Sequence, residues 1–115
     1  MAERKIHEVI ITRPAKNRYH EIVLPYIYDN FSFERAAEVD ESILSTVTKL
    51  DKKPDRGRKE KYLEEAKEVF RFILHQETKH FELKIIYYVD ETKSTVYVTD
   101  FFPTRMSPQR IIENN

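Results

Sequence analysis

The sequence predicts an α+β domain in which an N-terminal helix hairpin packs on a mostly antiparallel, twisted sheet, in the order β-α-α-β-β-β. Three observations predict it. A β-branched run opens the chain, two amphipathic helical stripes follow, and alternating runs joined by short links close it. A chain of 115 residues fits one domain, 1–115, and it contains no internal repeat, linker or low-complexity segment.

"KIHEVIIT" (5–12) is the first strand, ended by "RP". Pro14 suits the first turn of a helix, because its missing N–H has no intrahelical partner there anyway. Tyr19, Ile22, Val23, Tyr26 and Ile27 then share one helical face. Pro25 sits inside that stripe, so the helix kinks there or splits in two. "YDNFS" (28–32) is a turn, with Ser32 as N-cap and Glu34 in the first turn of the next helix. Phe33, Ala36, Ala37, Ile43, Leu44, Val47 and Leu50 form its apolar stripe, closed by Lys49 and Pro54.

"PDRG" (54–57) is a turn and holds the chain's one glycine. "RKEKYLEEAKE" (58–68) is either a short helix or an irregular charged connection. The remaining strands are "VFRFILHQ" (69–76), "FELKIIYYVD" (81–90) and "TVYVTDFF" (95–102). Their links, "ETKH" and "ETKS", are too short for a parallel crossover and force antiparallel hairpins. On the middle strand Phe81, Leu83, Ile85, Tyr87 and Val89 point one way, and Glu82, Lys84, Ile86, Tyr88 and Asp90 the other.

Composition sets limits. There is no Cys, which excludes disulfides and thiolate metal sites. No apolar stretch approaches a membrane span, and "MAERKIHEV" lacks the apolar region of a signal peptide, so the expected location is the cytoplasm. The 20 basic and 20 acidic residues cancel, so any nucleic-acid role must rest on a local patch. The best one is "KKPDRGRKEK" (52–61), with a local +4: six basic residues against Asp55 and Glu60. It reads either as that patch or as a solvated loop.

These stretches together resemble the RelE/ParE superfamily, the small toxins of bacterial toxin–antitoxin pairs. "EIVLPYIYDNFSFERAAE" is similar to the first-helix and turn region of ParE-like members, and "PDRGRKE" to the phrase that ends their helix hairpin. "VFRFILH" resembles the strand carrying an aromatic–arginine pair, here Phe70-Arg71. "LKIIYYVDE" is similar to the family's Tyr-Arg-Ile-Ile-Tyr strand, with Leu83 and Lys84 replacing its first two residues. "VYVTDFFPTRMSPQRI" resembles the closing strand with its Arg-x-x-Pro-x-Arg ending, in Arg105, Pro108 and Arg110. The resemblance implies a cytoplasmic toxin held by a cognate antitoxin, possible homo- or hetero-oligomers, and a target that is either DNA gyrase or the ribosome with its mRNA. A non-toxic interaction module on the same scaffold is the alternative. Three departures weigh against mRNA cutting. The chain is neutral, Pro103 stands where many ParE-like members have histidine, and the chain ends "IIENN" without a terminal His-Tyr.

RNA cleavage requires cations on the phosphate and groups to move protons. Arg71, Lys84 and Arg105 are the candidate catalytic residues, forming a cradle if their strands are neighbours. Otherwise they are solvated, or paired with carboxylates such as Glu82 and Asp90. Asp100, inside an apolar strand, needs a basic partner, for which Arg71 is a candidate. Tyr88, Phe102 and Arg110 are the candidate partner-binding residues, because a sheet with apolar residues on both faces leaves a second face for an antitoxin segment. His75 and His80 are an acid–base pair, two metal ligands or a polar hairpin end. With no Cys and no third convergent ligand, the sequence assigns no metal and no cofactor.

Overall fold

Thr12 begins the first helix as an N-cap, its hydroxyl accepting from the Ala15 N–H, with Pro14 in the first turn. The structure, a computed structural model, describes residues 6–115. Strand β1 (Glu8–Ile11) leads into α1 (Arg13–Arg18), a π-helical turn (Tyr19–Val23) and α2 (Leu24–Asn30). The expected disturbance at Pro25 takes this form. A proline cannot donate and crowds the carbonyl of the preceding turn. The backbone widens just ahead of it, and the Leu24 N–H bonds the Tyr19 carbonyl five residues back.

Phe31 is extended and ends α2; Ser32 then caps α3 (Phe33–Thr48), accepting from the Arg35 N–H at 3.2 Å. A 3₁₀ turn (Lys49–Asp51) and a loop lead to β2 (Arg58–Lys59), a two-residue edge strand that the sequence pattern does not announce. The charged connection after it is irregular, with one 3₁₀ turn (Lys61–Leu63). Strands β3 (Arg71–Thr78), β4 (Phe81–Asp90) and β5 (Thr95–Pro103) follow, and a 3₁₀ segment (Pro108–Asn114) closes the chain.

The sheet order is β1-β5-β4-β3-β2. β1 runs parallel to β5, and every other pairing is antiparallel. Thr99 forms a bulge: Ile86 opposes Asp100 while Tyr87 opposes Val98. The extra residue resets the alternation, so Val96, Val98 and Phe101 all join the helix-side core. Ala36, Val39, Ile43 and Val47 of α3 pack there on Ile73, Leu83 and Ile85.

The opposite face has a smaller core of Leu63, Phe70, Ile86, Phe102 and Ile111. The face that the sequence leaves for an antitoxin segment is therefore covered in part by the chain itself. The charged connection and the C-terminal segment contribute Leu63 and Ile111, which fold over it.

Candidate functional site

The three candidate catalytic cations do not converge. Arg71 stands opposite Tyr87 across β3 and β4, which places it on the helix-side face. Lys84 stands opposite Leu74 and Phe102, on the other face. Arg105 lies beyond β5, its guanidinium 3.9 Å from the centre of the Tyr26 ring, which stacks on Phe81. Tyr87 and Phe81 are six positions apart on β4, roughly 20 Å of extended strand. The strands are neighbours, as the cradle requires, but strand parity and length keep the cations apart.

Each cation also has an occupation within the fold. Arg71 Nη1 donates to the Gly57 carbonyl at 3.0 Å, and the Gly57 N–H donates to the buried Tyr87 hydroxyl at 2.9 Å. A Cβ at residue 57 would meet the Tyr87 hydroxyl at 2.5 Å and the Phe72 carbonyl at 2.7 Å, so only glycine fits. Burial pushes the Tyr87 phenol up; the Gly57 N–H and the Arg71 and Arg56 charges offset only part of that. Lys84 Nζ lies 2.6 Å from Glu60 Oε1, and the Glu60 side chain is fully buried. The same ammonium sits 4.4 Å from the centre of the Phe72 ring. Glu82 and Asp90 are not its partners.

Asp100 is fully buried, and its partner is Arg18 rather than Arg71. Arg18 Nε and Nη2 donate to the two Asp100 oxygens at 3.0 and 3.3 Å, and Arg18 Nη1 donates to Glu113 at 3.2 Å. Arg71 cannot serve because it faces the other side of the sheet. Asn114 Nδ2 donates to Asp100 at 3.0 Å and to the Pro14 carbonyl at 3.2 Å. Burial opposes the Arg18 charge, but Asp100 and Glu113 outweigh it and hold the guanidinium above its ordinary value. The sequence signal for this clasp was a carboxylate in an apolar strand. Nothing local marked Arg18 as the residue that answers it.

Among the candidate partner contacts, Phe102 is 2% exposed and already packed under Leu63 and Ile111, so it is not a free contact in this conformation. Tyr88 is half-buried on the same face, stacked on Tyr97 with ring centres 5.2 Å apart. Arg110 is exposed and pairs with Glu113, while its carbonyl accepts from Arg18 at 3.2 Å. His75 and His80 do not act together. His75 is buried, with Nδ1 2.8 Å from the Thr46 hydroxyl and Nε2 2.8 Å from Glu77, whereas His80 is exposed in the β3–β4 turn.

A helix hairpin on one face of a five-stranded open sheet, with a C-terminal segment clasped over the other, defines a small single-sheet α+β protein without a convergent acid–base centre among its predicted site residues. Residues 9–108 match the family of the ParE toxin of the type II toxin-antitoxin system, parDE, and the chain belongs to that family. No curated protein and no solved structure matches it. No helix among the described residues is long and apolar enough to cross a membrane.

Proposed function

We propose that the chain is the toxin of a type II pair, neutralised in the cytoplasm by a cognate antitoxin, and that it arrests growth by gripping DNA gyrase rather than by cutting mRNA. One observation carries the choice of target. Arg71, Lys84 and Arg105 are spread over two faces and opposite ends of the sheet, and each is engaged by its own chain. In-line attack on a phosphodiester needs cations and proton-transfer groups within hydrogen-bond reach of one phosphate. A protein target needs only a shaped surface, which this arrangement leaves intact.

Controlled expression of the chain tests the proposal, with and without the adjacent small gene. Expression alone stops growth and accumulates covalent gyrase–DNA complexes, and the neighbouring product restores growth. A folded, abundant product with no effect on growth would support the non-toxic module instead. Arrest without gyrase complexes would remove gyrase as the target.

A further inference from the structure

The proposed grip on gyrase assigns no role to the basic stretch after α3, which the fold builds into a defined surface. Lys49, Lys52, Lys53 and Arg56 line one concavity of about 460 Å³ with Thr48 and Asp51, four cations against one carboxylate. Arg58 continues the row on β2, beside an adjoining hollow that Arg56 also lines. All five basic side chains are exposed, and none takes part in an ion pair among the described residues. Other exposed cations, such as Lys16, Lys67 and Lys79, are likewise outside any ion pair among the described residues, and what sets these five apart is their grouping around two adjoining hollows. Arg18, Arg35, Lys84 and Arg110 are paired with carboxylates, and Glu60, the acidic residue closest in sequence beyond this row, is turned inward onto Lys84. A helix C-terminus favours one nearby cation such as Lys49, but its field fades within a turn and does not account for the other four.

The loop carrying these cations is anchored. The His7 N–H donates to the Asp51 carbonyl at 2.7 Å, the Arg56 N–H to the Lys53 carbonyl at 3.3 Å, and Gly57 is pinned between Tyr87 and Arg71. Holding the backbone lowers the entropy lost when the side chains engage a charged surface. Arg71 thereby acquires a positioning role: it fixes the loop and does not itself touch the anion.

We propose that the row Lys49, Lys52, Lys53, Arg56 and Arg58 is a binding surface for the phosphodiester backbone of duplex DNA, read without regard to sequence. Unpaired cations in a row suit regularly spaced phosphates. No aromatic side chain lines the concavity that holds four of the five cations, and Phe72, which lines the adjoining hollow, has the Lys84 ammonium over its ring, whereas single-stranded nucleic acid is held by base stacking on aromatic rings. The surface stands independently of which enzyme the toxin arrests.

The test is a salt titration of the full chain against a duplex of about 20 base pairs, read by fluorescence anisotropy. Each phosphate neutralised contributes about 0.9 to the slope of log affinity against log salt, so the wild-type slope is expected near −4. Lys52→Ala with Lys53→Ala and Arg56→Ala lowers the affinity at least about tenfold and flattens the slope by about 3. The matched control, Lys16→Ala with Lys67→Ala and Lys79→Ala, removes the same charge from exposed positions elsewhere and keeps the wild-type slope. Circular dichroism and the thermal midpoint show both variants folded. Absence of wild-type binding, equal losses in the two variants, or tighter binding to single-stranded RNA of the same length would each overturn the proposal.

Discussion

On the helix-side face, Ala36, Val39, Ile43 and Val47 meet Ile73, Leu83 and Ile85 in a cluster of apolar and aromatic side chains. On the opposite face, Phe70, Ile86, Phe102 and Ile111 share their space with two ion pairs, the buried Arg18–Asp100 and the partly buried Lys84–Glu60. The first face is covered by helices whose periodicity already supplies apolar side chains at the right spacing. The second is covered by an irregular connection and a 3₁₀ tail, which supply Leu63 and Ile111 but no continuous stripe. Charges from distant positions fix where those coverings lie. Such pairs contribute little net stability compared with apolar replacements, but removing one partner strands the other.

That difference is most readily broken at Arg18. Arg18→Ala leaves Asp100 buried without its cation and should cost about 3–5 kcal/mol, read as a fall in the urea midpoint. Arg18→Met combined with Asp100→Leu should recover most of that loss. If the double variant is as unstable as the single one, the charge is not what matters at this site. Phe102→Ala opens a cavity in the same small core and should cost about 3–5 kcal/mol by the same measurement. Lys84→Met should cost less, about 2–3 kcal/mol, because the lysine is 19% exposed and water screens part of the lost interaction. Its effect on toxicity should follow its effect on folding. Loss of toxicity in a variant as stable as wild type would return Lys84 to a catalytic role.

Gly57→Ala presses a methyl group against the Tyr87 hydroxyl and should cost about 1–3 kcal/mol. Tyr87→Phe should relieve part of the clash, so a double-mutant cycle should show a favourable coupling. The smallest effect concerns pH, on the helix side. Burial pushes Glu77 up, but hydrogen bonds from His75, Arg35 and Ser42 outweigh it, and the carboxyl lies below its ordinary value of 4.5. A carboxyl lowered in the folded state contributes stability above its unfolded pKa and loses it as pH falls through the folded value. Urea midpoints measured from pH 6 down to pH 3 should fall less steeply in Glu77→Gln than in wild type.

The sequence made the helix-side face legible because its rules are local. Ser32 announced the α3 cap, Pro25 announced a disturbed helix, and the short links dictated hairpins. The second face depends on contacts that no local pattern carries. Arg18 and Asp100 are 82 positions apart, and Lys84 and Glu60 are 24 apart. Asp100 could be recognised as needing a partner, whereas Glu60 sits in a charged run with nothing to mark it as buried. The Thr99 bulge and the two-residue β2 were hidden for a similar reason, since both arise from pairing rather than propensity. Arg71, Lys84 and Arg105 looked like one site because adjacent strands were foreseeable and register was not.

The central claim, that these dispersed cations serve the fold while the toxin acts on gyrase, is tested most directly with purified components. The chain is added to gyrase and plasmid DNA in one reaction, and to a translating extract with mapped mRNA ends in another. Inhibited supercoiling with trapped cleavage complexes, and mRNA left intact, is the expected result. New mRNA ends at the ribosome, abolished by Arg71→Ala in a folded variant while gyrase is untouched, would contradict it.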